Sequence, residues 1–513
     1  MIGTPIDLVK FGIRSIHAEL MADPTALECI YISIITFASK AQQIVPLTEL
    51  GSFVPPDIKA GGVTSFGAAL KLLMEAIDRE VQSTTPDNKG DWKPLIFIFS
   101  DGDPTDHWEA HAATVKARRW SDNLIAIACG DKADPAVLKH CTETVLVMKE
   151  MTPDAFKQLF RWVSASIKKT SSRKMVEPRP HVIAKSASWK NLPTKTPWCP
   201  LNIAAQAPEL RKVIGDEIAT CERVVPGWRA ACASRRGRMH ANSGTHREDA
   251  FACDAHDRAT VLCVSDGAGA YQHSRIGSHV AASRVVEVLM KATRRVDPTI
   301  AAKASSLKVY LTTRLTAAVL DATDAVIDLA KRSGCNPKDF RCTLLTALHY
   351  RGEQHELLLT NQIGDGAICL LRKDQSTARL GSRDSGAHSG EVSCFVPDDC
   401  ARVKAKVVDC ITPVEPIECV LLCSDGVEDP FYPLEKHAAE IFRQLYRGVQ
   451  RPLPDFKTQP AQTAPLLQKS AISGLVKWLE FEKRGENDDR TIAVLHRTPV
   501  THLFAKNQQT DQK

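Results

Sequence analysis

Apolar and polar positions change period several times along the chain, and each change marks an element. Over residues 3–22, Ile6, Val9, Ile13, Ile16 and Leu20 recur at helical spacing and predict a helix. Tyr31–Phe37 is a short, β-branched apolar run and predicts a strand. Gly61 and Gly62 form a loop that opens a predicted helix over 66–77. Leu95–Phe99 and Leu124–Cys129 predict two further strands, the first ending in Ser100-Asp101-Gly102. Thr152 and Pro153 supply the cap and first-turn residue of a helix running to about 168. Strands alternating with helices predict a doubly wound α/β domain over 1–168, its parallel sheet covered on both faces.

The pattern then breaks. Residues 169–200 are rich in Ser, Lys and Pro, with Pro178, Pro180, Pro193, Pro197 and Pro200, and read as a linker. Residues 201–237 show no clear period and read as the lead-in to a second domain over 238–498. That domain opens with a strand over 259–265, followed by helices over 278–294 and 307–333. A strand over 341–349 comes next, and the runs 356–359 and 367–371 frame Gly364-Asp365-Gly366, a hairpin turn. A polar loop over 379–400 is a candidate flap, and helices are predicted over 433–450 and 464–481. The mixture predicts an α+β sandwich of two antiparallel sheets flanked by helices, with a polar tail over 499–513.

Composition narrows the class. Of 513 residues, 43% are hydrophobic and 25% charged, which is enough to bury the cores of two domains. The sequence has no apolar run near the ~20 residues needed to cross a bilayer and no secretory signal, so a cytoplasmic protein without a membrane partner is expected. The 16 cysteines are scattered, lack zinc spacing and read as small buried hydrophobes in a reducing compartment. The net charge of +6 is local: between Lys168 and Lys195, eight Lys or Arg face one acid, Glu177. Only Trp189 and Trp198 stand near this basic stretch, so a solvated tether is expected rather than a nucleic-acid surface.

The candidate chemistry lies in acids at strand ends. Val261-Leu-Cys-Val-Ser-Asp266-Gly267-Ala-Gly269 is a buried strand running into a carboxylate and a bend. Cys419-Val-Leu-Leu-Cys-Ser-Asp425-Gly426 repeats the design, and Glu486-Asn-Asp488-Asp489-Arg-Thr opens another apolar run. Glu248-Asp249 precedes the first. Each Asp-Gly alone is a common turn dipeptide. Together, rigidly mounted short carboxylates suit one oxygen-rich site for hard divalent cations.

Two resemblances sharpen these readings. The segment 1–168 resembles a von Willebrand factor A domain of the kind associated with bacterial tellurium resistance. The motifs that carry the likeness are Gly-Gly-Val-Thr64-Ser, Lys-Pro-Leu-Ile-Phe-Ile-Phe-Ser-Asp101-Gly and the strand end Ile-Ala-Cys-Gly. In that family Thr64 and Asp101 would help bind a divalent ion. The family's Asp-x-Ser-x-Ser motif, which closes the first strand, is absent. The natural start lies upstream, or the domain is a degenerate scaffold, or another segment fills the place of that strand.

The second resemblance covers about 238–498. Its order is Glu-Asp-Ala, Ser-Asp-Gly-Ala-Gly, Cys-Thr-Leu-Leu, Gly-Asp-Gly, Ser-Asp-Gly-Val-Glu-Asp and Asp-Asp-Arg-Thr. It resembles the metal-dependent Ser/Thr phosphatases of type 2C. The resemblance implies two Mn²⁺ or Mg²⁺ ions held by Asp266, Asp425 and Asp488, with the Gly267 carbonyl joining them and Glu248 and Asp249 acting through water. Asp365 and Asp429 match acids of a third metal. A bridging hydroxide would attack the phosphomonoester directly, and Arg247 stands as the candidate for holding the phosphate. The family's histidine after Asp-Gly is replaced by Ala268, and His273 lies five residues on. The implied partners are a phosphoprotein substrate and a cognate Ser/Thr kinase, with the first domain as an adaptor. The alternative is a catalytically weak pseudophosphatase that serves as a protein-interaction module.

Overall fold

The computed structural model describes residues 4–130, 133–148, 152, 154, 158–160, 162–163, 217–242, 244–269, 271–353, 355–382, 384, 388, 392–413, 416–447, 456–458 and 471–498. The predicted linker, most of the helix from Thr152 and the polar tail lie outside these residues. The chain divides into two compact units.

The first unit opens with the helix Thr4–Met21. Strand β1 (Tyr31–Phe37) pairs antiparallel with β2 (Ala41–Glu49), and the helix Phe66–Glu80 follows. Strands β3 (Ile96–Ser100), β4 (Leu124–Cys129) and β5 (Thr144–Met148) form a parallel sheet in that order. β4 is buried along its whole length, as a central parallel strand must be. Asp106 caps the helix Phe66–Glu80, accepting the N–H groups of Gly67 and Ala68 at 2.9 Å each. One expectation is corrected. Among the described residues, parallel pairing is confined to β3–β5, and Tyr31–Phe37 joins a separate hairpin. Its partner strand was hidden in the sequence because Gln42, Gln43 and Pro46 interrupt the apolar run.

The second unit is a sandwich. Its strands are β6 (Ile218–Val225), β7 (Trp228–Arg235), β8 (Ala250–His256), β9 (Ala259–Ser265), β10 (Leu344–Arg351), β11 (Glu356–Ile363), β12 (Ala367–Arg372), β13 (Thr377–Leu380), β14 (Asp409–Ile411), β15 (Ile417–Cys423), β16 (Phe456–Thr458), β17 (Glu482–Lys483) and β18 (Arg490–Arg497). One sheet has the order β14-β11-β10-β9-β8 and the other β13-β12-β15-β18-β7-β6, while β16 and β17 pair apart. Every pairing in both large sheets is antiparallel. Between the sheets lie Leu262, Val264, Leu345 and Leu358 from the first and Ala230, Ile368, Val420 and Leu495 from the second, forming one apolar cluster. Strands buried on both faces need cover outside as well. The helices Ser274–Thr293 and Ala304–Arg332 cover the first sheet, and Leu434–Arg447 and Ala471–Trp478 the second. The 29-residue helix buries Leu307, Leu311, Leu315, Val319, Val326 and Leu329 along one face. Each such side chain contributes about 2 kcal/mol.

Two further expectations change. The hairpin β6–β7 belongs to the six-stranded sheet, so the second unit begins before 238, within the presumed lead-in. β7 escaped notice because its small residues, Ala230, Ala231, Cys232 and Ala233, give no strong apolar signal. The cysteines are also not all free thiols: Cys394 and Cys400 form a disulfide, their Cα atoms 5.9 Å apart across a six-residue turn. No described helix is long and apolar enough to cross a membrane.

Candidate metal centre

Register brings the acids to one end of the sandwich. Ser265 pairs with Ala250, so Asp266 and Asp249, the next residues outward, leave β9 and β8 side by side. Cys423 pairs with Ile492 and with Ala367, which sets the Asp425 turn beside the start of β18 and the end of the Asp365 turn. Arg490 pairs with Arg235, so Asp488 and Asp489 emerge beside Gly237. Two acids thus come from each sheet at the same edge.

Backbone contacts tie these loops together. An added Cβ on Gly426 would lie 1.8 Å from the Asp489 carbonyl oxygen, so only glycine lets the Asp425 turn seat there. An added Cβ on Gly267 would lie 2.8 Å from the Glu248 carbonyl oxygen. Ser424 Oγ donates to Asp249 Oδ2 at 2.6 Å, joining the acid from β8 to the turn after β15. Thr343 Oγ1 accepts the Asp266 N–H at 2.9 Å, and the Asp266 carbonyl accepts the Thr343 N–H at 2.8 Å. Asp249, Asp266, Asp365 and Asp425 are buried, whereas Glu248 and Asp488 are half-buried. Asp365 sits between Gly364 and Gly366, both at positive φ, in the turn that carries the chain from one sheet to the other.

Other residues depart from expectation. Arg247 does not reach out for a phosphate: it is buried, its guanidinium donating to Ser234 Oγ at 2.8 Å and to the Asp249 carbonyl. It braces the acidic pair from behind. Asp429 accepts the Lys89 ammonium at 2.7 Å, Lys89 belonging to the Thr85–Lys89 segment that packs within this unit. The carboxylate proposed for a third metal is therefore engaged by a cation of the chain itself. His273 is buried. It packs on Phe340 with ring centroids 5.0 Å apart and contacts Cys335 Sγ at 3.7 Å, and burial lowers its pKa.

Two residues carry roles the sequence reading did not give them. Asp489 is buried, and its carboxylate accepts the N–H groups of Gly237 at 2.7 Å, Glu248 at 2.5 Å and Asp249 at 3.4 Å. His240 Nδ1 meets the same carboxylate at 2.9 Å, and its Nε2 lies 3.9 Å from Glu248 Oε2. Burial works against charge on His240, but Asp489, with Glu248 and Asp488, pushes its pKa up to about 10. One ligand atom from each of His240, Asp488 and Asp489 lies within 4.8 Å of the others. The consecutive Asp488-Asp489 pair was a usable signal, since only Asp489 is buried and turns to the N–H groups of Gly237 and Glu248.

The donor set fits a hard divalent cation. Glu248, Asp249, Asp266, Asp425 and Asp488 offer only carboxylate oxygens. Carboxylates gathered at low exposure repel one another unless cations neutralise them.

Residues 236–455 match the Protein phosphatase 2C family. The second unit thus contains a phosphatase domain of the 2C type, and its enzyme class is metal-dependent protein phosphatase. Similar solved structures include the catalytic domain of serine threonine protein phosphatase PstP in complex with two manganese ions, at 18% identity over 53% of this chain and 98% of that one, with a TM-score of 0.33. Serine-threonine phosphatase 2C from Toxoplasma gondii is similar at 13% identity over 54% and 99%, with a TM-score of 0.36. RsbX in complex with magnesium is similar at 11% identity over 55% and 100%, with a TM-score of 0.30. No curated protein matches the chain.

Proposed function

We propose that the second unit removes phosphate from phosphoserine and phosphothreonine in proteins, using two Mn²⁺ or Mg²⁺ ions. Glu248, Asp249, Asp266, the Gly267 carbonyl, Asp425 and Asp488 are the residues assigned to hold them. When bound, such ions lower the pKa of water and neutralise phosphoryl oxygens. The chain's own residues fix the geometry. Ser424 orients Asp249, Thr343 orients the Asp266 backbone, and Gly426 lets the Asp425 turn close on β18. The observation that carries the reading is the arrival of all-oxygen donors from both sheets at one end of a rigid sandwich. Ala268 follows Asp-Gly, so no side chain at that position can protonate a leaving group.

In the same reading the first unit is a von Willebrand factor A-like adaptor that recruits the phosphoprotein, and a cognate Ser/Thr kinase supplies that substrate within a tellurium-resistance or stress response. The test is hydrolysis of a chromogenic phosphate ester and of phosphopeptides by the full chain, with Mn²⁺ and with chelator. Chelator-sensitive turnover that disappears in Asp266→Ala and Asp425→Ala is expected. Folded protein without turnover on either substrate would leave a pseudophosphatase acting as a binding module.

A further inference from the structure

We infer that Asp489 and His240 act together as a positioning pair that sets the spacing of the metal-binding acids without binding the ions themselves. The inference rests on the proposed metal centre. A carboxylate has about four acceptor sites. Asp489 accepts three backbone donors, the N–H groups of Gly237, Glu248 and Asp249, and His240 Nδ1 lies 2.9 Å from the same carboxylate. Glu248 and Asp249 are thereby fixed by their own backbone to the residue beside Asp488. The link continues through the main chain, since the Asp489 N–H donates to Asp488 Oδ1 at 2.8 Å and its carbonyl receives the Gly426 turn. The acidic segment before β8 therefore takes its position from this buried side chain beside Asp488, and the Asp425 turn packs on the carbonyl of the same residue.

His240 completes the arrangement. It stands on the short helix Arg238–Asn242, whose Met239 N–H is bonded to the Asn487 carbonyl at 3.0 Å, so the imidazole is held against the start of β18. Removing His240 alone takes away the group seated 2.9 Å from a buried carboxylate, whereas changing both partners to neutral amides leaves a matched donor and acceptor in the same place. The pair is therefore predicted to be interdependent, and this separates positioning from mere packing.

The experiment uses the full chain with His240→Gln, Asp489→Asn and the double variant. It reads the Mn²⁺ dissociation constant by titration calorimetry, metal-free thermal unfolding, and kcat and KM for a chromogenic phosphate ester. Positioning predicts Mn²⁺ binding weakened at least tenfold in His240→Gln, with KM changed less than twofold in Mn²⁺-saturated enzyme. The double variant should recover most of that loss. If His240→Gln fails to fold while the double variant folds and binds Mn²⁺, the pair is equally supported. Variants with the wild-type dissociation constant, or a double variant as impaired as the worse single, would overturn the pair. Wild-type protein that binds no Mn²⁺ would overturn the metal centre, and with it this inference.

Discussion

An added Cβ on Gly426 would lie 1.8 Å from the carbonyl oxygen of Asp489, so the turn holding one acid is shaped to the backbone beside another. Gly426→Ala must push these segments apart. Overpacking of this kind costs about 1–3 kcal/mol. The expected outcome is a lower unfolding temperature and at least a tenfold loss of Mn²⁺-dependent turnover, checked by calorimetry and a Mn²⁺ titration of activity.

Arg247 offers a test that divides bracing from phosphate binding. Its guanidinium donates to Ser234 Oγ, which in turn lies 2.5 Å from Thr491 Oγ1. Arg247→Ala strands buried polar groups on β7 and at the Asp249 carbonyl, at about 1–3 kcal/mol for each unsatisfied group. Denaturant unfolding should show that loss, while KM for a small phosphate ester stays within twofold. A large rise in KM with unchanged stability would restore the phosphate-holding role.

Arg379 and Glu428 form a buried ion pair at 2.5 Å, and Arg379 also donates to the Gly366 carbonyl at 2.7 Å. Burial raises the Glu428 pKa against the pull of Arg379. Removing the arginine alone leaves a buried carboxylate, so Arg379→Ala should cost about 3–5 kcal/mol. Arg379→Met combined with Glu428→Gln should lose much less, as urea unfolding would measure.

The acid limb of stability should carry the mark of His496. Burial pushes its pKa down from 6.5 to about 4. Above pH 6.5 both folded and unfolded chains hold it neutral, and it contributes nothing. Between pH 6.5 and 4 the unfolded chain takes up a proton that the folded chain refuses, so stability falls as pH falls, by up to about 3 kcal/mol. His496→Gln should flatten the pH dependence of unfolding in that window.

The sequence made the strong elements legible and hid the weak ones. β9 and β15 announced themselves because a strand buried on both faces is a continuous apolar run. β7 is equally buried but built from alanine, cysteine and serine, whose small side chains leave little hydrophobic contrast. The acids proposed as metal ligands stood out in the sequence because most of them follow or precede an apolar run. Arg247 was misjudged because linear proximity to Glu248 says nothing about side-chain direction, and the arginine turns inward toward Ser234. His240 and Asp489 were passed over because their partnership spans most of the second unit's sequence and exists only once β18 lies beside β7.

Asp249 and Asp266 extend from one layer, Asp425 and Asp488 from the other. Ions gripped by all of them would work like rivets through two plates, resisting any slip of one layer over the other. Loading and mechanical integrity then become a single equilibrium, with resistance to unfolding rising with the logarithm of free cation above its dissociation constant. Under metal scarcity this domain would lose activity and robustness together, rather than persist as a sturdy but idle shell.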